Sequence, residues 1–205
     1  MVTSSNVVDD VVTYTTNYGT EQLHSGVEVD VKLRPAQGLT LNGFASVGDW
    51  IYKGEALTRV TDEDRTVLSE ETIDFDGGKV GGAAQLSGGL GLAYQINSMF
   101  SVDSDWRYYD NLYADVGAIK DNLELPSYGL LDAGVTFTMP LGIDKSKSLK
   151  IRANMNNVLD KEYLSELTSA NFVEPGDETF DGINVSNQGY FGWGRTWNVT
   201  LRYDF

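Results

Sequence analysis

The sequence predicts an all-β fold: an antiparallel transmembrane β-barrel of the outer-membrane kind, with about eight strands, short periplasmic turns and long extracellular loops. Three observations carry this. Residues 196–205 alternate without a break, with Trp197, Val199, Leu201, Tyr203 and Phe205 on one parity and Thr196, Asn198, Thr200, Arg202 and Asp204 on the other. Successive side chains of a strand point to opposite faces, so this is a ribbon with one apolar and one polar face. It stops on an aromatic residue, where a soluble sandwich would carry a frayed polar tail. Second, the connections alternate in length. Those at 35–38, 96–98 and 140–148 are short; those at 53–79, 110–127 and 158–194 are long. With Phe205 at the periplasmic end, every long connection falls outside and every short one inside. Third, glycine is abundant (22) and proline scarce (4), as in a sheet that bends and turns tightly.

Each element has its own signal. Residues 7–16, rich in Val and Thr, read as a strand, and Tyr18-Gly19 as a turn. From Leu23 to Arg34, Val27, Val29, Val31 and Leu33 alternate with Glu28, Asp30, Lys32 and Arg34, and Pro35-Ala36-Gln37-Gly38 makes a tight turn. Leu39, Leu41, Gly43, Ala45 and Val47 then face away from Thr40, Asn42, Phe44 and Ser46 in a strand running towards Tyr52. Residues 53–79 lose the period, turn acidic and read as a loop. A strand at about 80–95 sets Leu86, Leu90, Leu92 and Tyr94 against small residues. After Ile96-Asn97-Ser98 comes Phe100, Val102, Trp106 and Tyr108 against Ser101, Asp103, Asp105, Arg107 and Tyr109. Leu131 to Met139, Leu149 to Met155 and residues 196–205 supply the remaining strands.

Charge gathers on one parity of nearly every strand, in Arg34, Asp105, Arg107, Arg152, Arg202 and Asp204 among others. A soluble ligand-binding barrel would alternate in the same way with its apolar set inward. The near absence of charge from the apolar parity, and aromatic residues near strand ends (Trp50, Tyr94, Phe100, Tyr108, Phe137, Tyr203), favour an apolar face on lipid and a hydrated lumen. Net charge is −15, which argues against a nucleic-acid partner, since phosphate binding needs clustered Lys and Arg. Absence of cysteine rules out disulfides, thiolate metal sites and a cysteine nucleophile. No apolar run approaches the length of a membrane-crossing helix. Met1 to Asn6 lack the basic and apolar regions of a signal peptide, so an exported chain has either lost its signal or is a piece of something longer.

The stretch Asn156-Asn157-Val158-Leu159-Asp160-Lys161-Glu162-Tyr163, followed by Gly189-Tyr190-Phe191-Gly192-Trp193-Gly194-Arg195-Thr196, resembles the end of a TonB-dependent receptor. Looser matches are His24-Ser25-Gly26-Val27-Glu28, Gly48-Asp49-Trp50 and Pro126 to Asp132. Val158-Leu159 stands where that family usually has Leu-Phe. The resemblance implies that residues 1–205 are the C-terminal part of a larger plugged barrel, with no plug domain among them. It implies uptake of a scarce nutrient (an iron chelate, cobalamin or a glycan) at the bacterial outer membrane. Its partners would be membrane lipid, the barrel-assembly machinery, an extracellular nutrient, and the TonB system through the missing plug. Val199, Leu201, Tyr203 and Phe205 would form the assembly signal.

Candidate site residues are few. Asp74 and Asp76, with Tyr190, Phe191 and Trp193, are expected to face ligand from the long loops. The acidic run Asp62, Glu63, Asp64, Asp74 and Asp76 matches no calcium-loop spacing and reads as solvated charge, so no metal or cofactor is expected. His24 is alone and reads as structural or exposed. Gly189, Gly192 and Gly194 lack the strand–helix context of a dinucleotide fingerprint. Asp105 and Arg107, two apart on one face, are expected to pair in the lumen. No nucleophile–base signature is present, and no enzyme is expected. The alternative is a complete eight-stranded barrel of structural or adhesive role, in which residues 7–16 pair with 196–205 and remove both free edges.

Overall fold

A computed structural model describes residues 2–8, 11–142 and 147–205, and only the backbone of 2–8 and 11. No helix occurs among them. The strands in chain order are β1 (Val2–Val8), β2 (Val11–Tyr18), β3 (Glu21–Ala36), β4 (Leu39–Lys53), β5 (Glu55–Thr61), β6 (Val67–Asp74), β7 (Leu86–Gln95) and β8 (Phe100–Asp110). Then come β9 (Leu112–Tyr113), β10 (Glu124–Leu125), β11 (Tyr128–Leu141), β12 (Lys147–Asn156), β13 (Leu164–Leu167), β14 (Thr179–Phe180), β15 (Ile183–Asn184), β16 (Gly189–Phe191) and β17 (Thr196–Asp204).

The wall is a seven-stranded antiparallel meander in the order β17-β12-β11-β8-β7-β4-β3. Its register keeps the predicted parities together. Leu33 pairs Leu41, Leu41 pairs Leu92, Tyr94 pairs Val102, Val102 pairs Val135, Val135 pairs Ala153, and Ala153 pairs Val199. The apolar parity is therefore one continuous face. It is exposed: Val27 at 68%, Leu90 at 67% and Leu201 at 67%. A soluble β-protein would bury these side chains, so an exposed apolar face of this extent marks a surface made for lipid.

Five expectations change. The strand at 7–16 splits into β1 and β2, which form a hairpin with Val8 opposite Val11; residues 9 and 10 lie outside the described residues. This hairpin joins a second, four-stranded sheet, β1-β2-β5-β6, so the wall has seven strands and not eight. The closed small barrel fails with it, because among the described residues β17 pairs with β12 and no segment of 7–16. Strand direction gives the reason. In an antiparallel meander of seven, the first and last strands run the same way, so β3 and β17 could meet only in parallel. Finally, the strand at 80–95 begins at Leu86, and Gly19 is a kink and not a reversal. Tyr18 pairs Leu57 and Glu21 pairs Lys53, so β2 runs on into β3 while β4 runs on into β5, with one extra residue beside Gly54. Gly19 (φ 81°) and Gly54 (φ 67°) take left-handed conformations that other residues resist.

The long connections are folded. Besides β5 and β6 they contain β9 with β10, β13 with β16, and β14 with β15. The turn at 140–148 lies partly outside the described residues.

Candidate functional site

The polar face of the wall is organised by ion pairs that bridge strands. Arg152 on β12 forks onto Asp103 on β8, Nη1 to Oδ1 at 2.6 Å and Nη2 to Oδ2 at 2.8 Å, passing over β11. Gly134 on β11 makes room, because a Cβ there would lie 2.7 Å from both Arg152 Nη2 and Asp103 Oδ2. Such bidentate pairs fix geometry as well as charge. Arg107 pairs with Asp132 on the neighbouring strand, not with Asp105 as the spacing suggested. Lys150 and Arg202 share Asp204, at 3.1 and 2.7 Å. Phe44 lies on Gly89, where a Cβ would overlap its ring.

Above this face the loops form a cap with two apolar cores. One joins Leu112, Ala114, Leu123, Leu125, Leu164, Leu167 and Ile183. The other joins Tyr52, Ala56, Phe75, Val80 and Ala118, with Trp50 packed against it. Trp50 therefore belongs to the cap and not to an aromatic girdle. His24, itself exposed, stacks on it with centroids 5.1 Å apart. Two amides hold this arrangement, one buried between cap and wall and one half-buried within the cap. Gln85, 2% exposed, donates from Nε2 to the Trp50 and Val80 carbonyls (3.1 Å each) and accepts the Trp50 N–H at 2.9 Å. Asn122 Nδ2 donates to the Lys79 and Ala114 carbonyls at 2.9 and 2.8 Å.

The motif that carried the family resemblance is a clasp between β12 and β17. Asn157 (φ 48°, 4% exposed) donates from Nδ2 to the Lys161 and Trp193 carbonyls and accepts the Lys161 N–H. Asp160 accepts the Arg195 N–H at 2.8 Å and pairs with its guanidinium at 3.4 Å. Tyr163 stacks on Tyr128 (4.2 Å) and lies so close over Gly192 that a Cβ would overlap its ring. Asn157, Asp160, Tyr163 and Gly192 each close a part of one joint.

The candidate ligand residues divide in two. Asp74 bonds Lys120 (2.7 Å), and Asp76 accepts the Gly54 N–H (3.1 Å) and pairs with Lys53 (3.4 Å). Lys120, then the Asp76 N–H, holds the Asp74 carboxyl below the usual range; the Gly54 N–H, then Lys53, does the same for Asp76. Asp74 raises Lys120 in turn. These carboxylates staple the base of the β5–β6 hairpin. Asp62 caps its far turn, accepting the Thr66 N–H at 2.7 Å. Tyr190, Phe191 and Trp193 are 63, 59 and 84% exposed. The structure keeps the two sets apart: Tyr190 and Phe191 sit on β16 against β13, with Phe191 edge-on to Phe180. At the other end of the wall, Tyr203 stacks with Phe205 at 6.0 Å, and Val199 and Leu201 lie in the exposed apolar face. Among the described residues, no group of three or more acidic or histidine side chains is placed to hold a metal. Asn122 went unread in the sequence; Gln85 was read only as a lumen-parity residue of the strand at 80–95, and Asn157 only as part of the recognised stretch.

A lipid-facing wall of antiparallel strands under a folded extracellular cap defines an outer-membrane receptor barrel. The chain belongs to the TonB dependent receptor-like β-barrel family, whose model matches residues 1–158. The match stops short of most of the clasp. The crystal structure of the siderophore receptor PiuA from Acinetobacter baumannii is similar at 17% identity and a TM-score of 0.56, over 94% of this chain and 25% of that one. The open form of the ferric-catecholate import receptor Fiu from E. coli K12 aligns at 14% identity and a TM-score of 0.40, over 95% and 28%. The chain therefore spans about a quarter of the length of the receptors it resembles. A comparison with curated proteins found no match.

Proposed function

We propose that residues 1–205 form the C-terminal part of the barrel of a TonB-dependent receptor, with the plug encoded outside them. The receptor takes up a scarce extracellular nutrient across the outer membrane, energised by the TonB system acting through the plug. The observation that carries this is a wall with one exposed apolar parity beneath folded loops, in a chain of that family. Tyr190, Phe191 and Trp193, exposed on the cap, are the residues assigned to ligand contact; Asp74 and Asp76 serve the hairpin and touch ligand only if their ion pairs open. No catalytic step is part of this reading. An iron chelate is the first nutrient to test, with cobalamin and glycans beside it. In cells starved for each nutrient, deleting the full-length gene is expected to reduce uptake of one labelled nutrient at least tenfold, and de-energising TonB is expected to reproduce the loss. Unchanged uptake of all three classes would sink the transport reading.

The pattern Val199, Leu201, Tyr203 and Phe205 is assigned to barrel assembly, as a strand end offered to the assembly machinery. Phe205 is 94% exposed, so its removal takes little packing from the fold. Phe205→Ala is therefore expected to reduce the heat-modifiable, membrane-inserted fraction severalfold. Wild-type levels of inserted protein would remove the assignment.

A further inference from the structure

The four-stranded sheet carries a groove whose lining includes none of the residues assigned to nutrient contact. On β5, Ala56 and Thr58 are buried towards the cap, and Thr58 Oγ1 donates to Asn17 Oδ1 at 2.8 Å. Alternation puts Arg59 and Thr61 on the opposite face, where their partners on β2 are Thr16 and Tyr14. Ala56 shares its core with Tyr52, which has the lumen parity of β4, so this opposite face continues the side that meets lipid. Tyr14, Tyr18, Arg59, Thr61, Glu63 and Arg65 line a groove there of about 580 Å³. That volume suits a ligand of a few sugar rings.

The lining has two parts. Tyr14 and Tyr18 are 38 and 37% exposed, and the Arg59 guanidinium lies 5.3 Å from the Tyr18 ring centroid while Glu70 holds it at 2.7 Å. This is a fixed aromatic platform with hydroxyl and guanidinium groups along it. Arg65, on the hairpin turn, forms no ion pair among the described residues and leaves a guanidinium for an oxyanion. Arginine matches phosphate geometry with two parallel N–H groups.

Height selects the occupant. Leu23 is the uppermost exposed apolar residue of β3 on the lipid side. From it to Tyr18 and Tyr14 the strand rises about 17 and 30 Å, or roughly 13 to 23 Å above the apolar band at the usual barrel tilt. That is the level of the sugars of an outer-leaflet glycolipid, above its acyl chains. We propose that this groove binds the phosphorylated saccharide headgroup of an outer-leaflet glycolipid, with the sugar on Tyr14 and Tyr18 and the phosphate on Arg65. The groove continues the lipid-facing surface of the wall and anchors the β5–β6 hairpin laterally.

The test uses the full-length receptor in mild detergent, with native mass spectrometry against purified lipopolysaccharide, its delipidated core saccharide and phosphatidylglycerol. Lipopolysaccharide is expected to bind, and Arg65→Gln and Tyr18→Ala to weaken it at least tenfold each with heat-modifiability unchanged. Arg65 sits on an exposed turn, so its variant is expected to fold even if Tyr18→Ala does not. Binding unaffected by Arg65→Gln, or equal binding of phosphatidylglycerol, overturns the proposal. Free core saccharide bound as tightly as lipopolysaccharide overturns the assignment to the leaflet. Nutrient uptake is expected to survive Arg65→Gln, which separates failure here from failure of the uptake reading.

Discussion

Replacing Gly81 with alanine is expected to unfold the cap while leaving the wall intact. A Cβ at Gly81 would overlap the Ala114 carbonyl oxygen and stand 2.5 Å from its carbon and 2.9 Å from Asp115 N. All of these are backbone atoms, and they are held. The Ala114 N–H donates to Leu123 O at 2.9 Å, and the Asp115 N–H to Leu167 O at 2.7 Å. Ala114 O accepts from Asn122 Nδ2 at 2.8 Å, and Ala114 itself is fully buried. No flexible side chain can yield, so the segments 79–82 and 113–116 must part and open the core around Leu112 and Leu123. Overpacking costs about 1–3 kcal/mol and occasionally more, and unyielding backbone sets this site at the upper end. Gly77 is the control. It has a left-handed φ of 83° but nothing within 4 Å of a Cβ, so Gly77→Ala is expected to cost only about 1 kcal/mol. Hydrogen exchange at the Ala114 and Asp115 amides reads the difference. Full protection of both in Gly81→Ala would refute the close-approach argument.

That contact also shows where sequence reasoning stops. The wall was legible because lipid imposes the same requirement on every strand. Val27, Leu90, Val135 and Leu201 each advertise one face, and the register then had to bring them together. The cap meets no such uniform solvent. On β5 the buried positions are Ala56 and Thr58, small or polar, and the half-buried ones include Arg59, so the alternation that announces a strand is missing. On β6, Glu70 and Glu71 stand side by side, which suggested a solvated loop until Arg59 supplied a partner for Glu70. Residues 80–85 look like the start of β7, yet they run along the top of β4, where Val80 N–H bonds Trp50 O at 3.0 Å. Gln85, placed by parity among the lumen residues, is drawn there into the cap. The hairpin of β1 and β2 illustrates a third case. Residues 7–16 had the composition of a wall strand, and only the pairing of Val8 with Val11 shows the reversal between them.

Asn157→Ala is expected to open the joint between β12 and β17. Asn157 satisfies three backbone groups at once: the Lys161 N–H (2.9 Å), the Lys161 carbonyl (2.9 Å) and the Trp193 carbonyl (3.2 Å). It does so at 4% exposure, where water cannot replace it. Leaving such groups unpaired costs about 1–3 kcal/mol each before relaxation. Alanine adds backbone strain, because Asn157 sits at φ 48°, a conformation asparagine tolerates and alanine resists by about 1 kcal/mol. The combined loss is about 3–4 kcal/mol, near the upper end for single substitutions. Asn157→Gly separates the two causes. It removes the strain and keeps the lost hydrogen bonds, so it is expected to recover only about 1 kcal/mol. The consequence travels to the end of the chain, because Trp193 lies three residues before the start of β17 and Asp160 holds Arg195 at the same joint. Denaturant unfolding in detergent reads the stability, and exchange at the Lys161 amide reads the joint itself. If alanine and glycine prove equally costly, hydrogen bonding alone holds the clasp. If both stay within about 0.5 kcal/mol of the wild type, the level of a neutral surface change, the motif owes nothing to this joint.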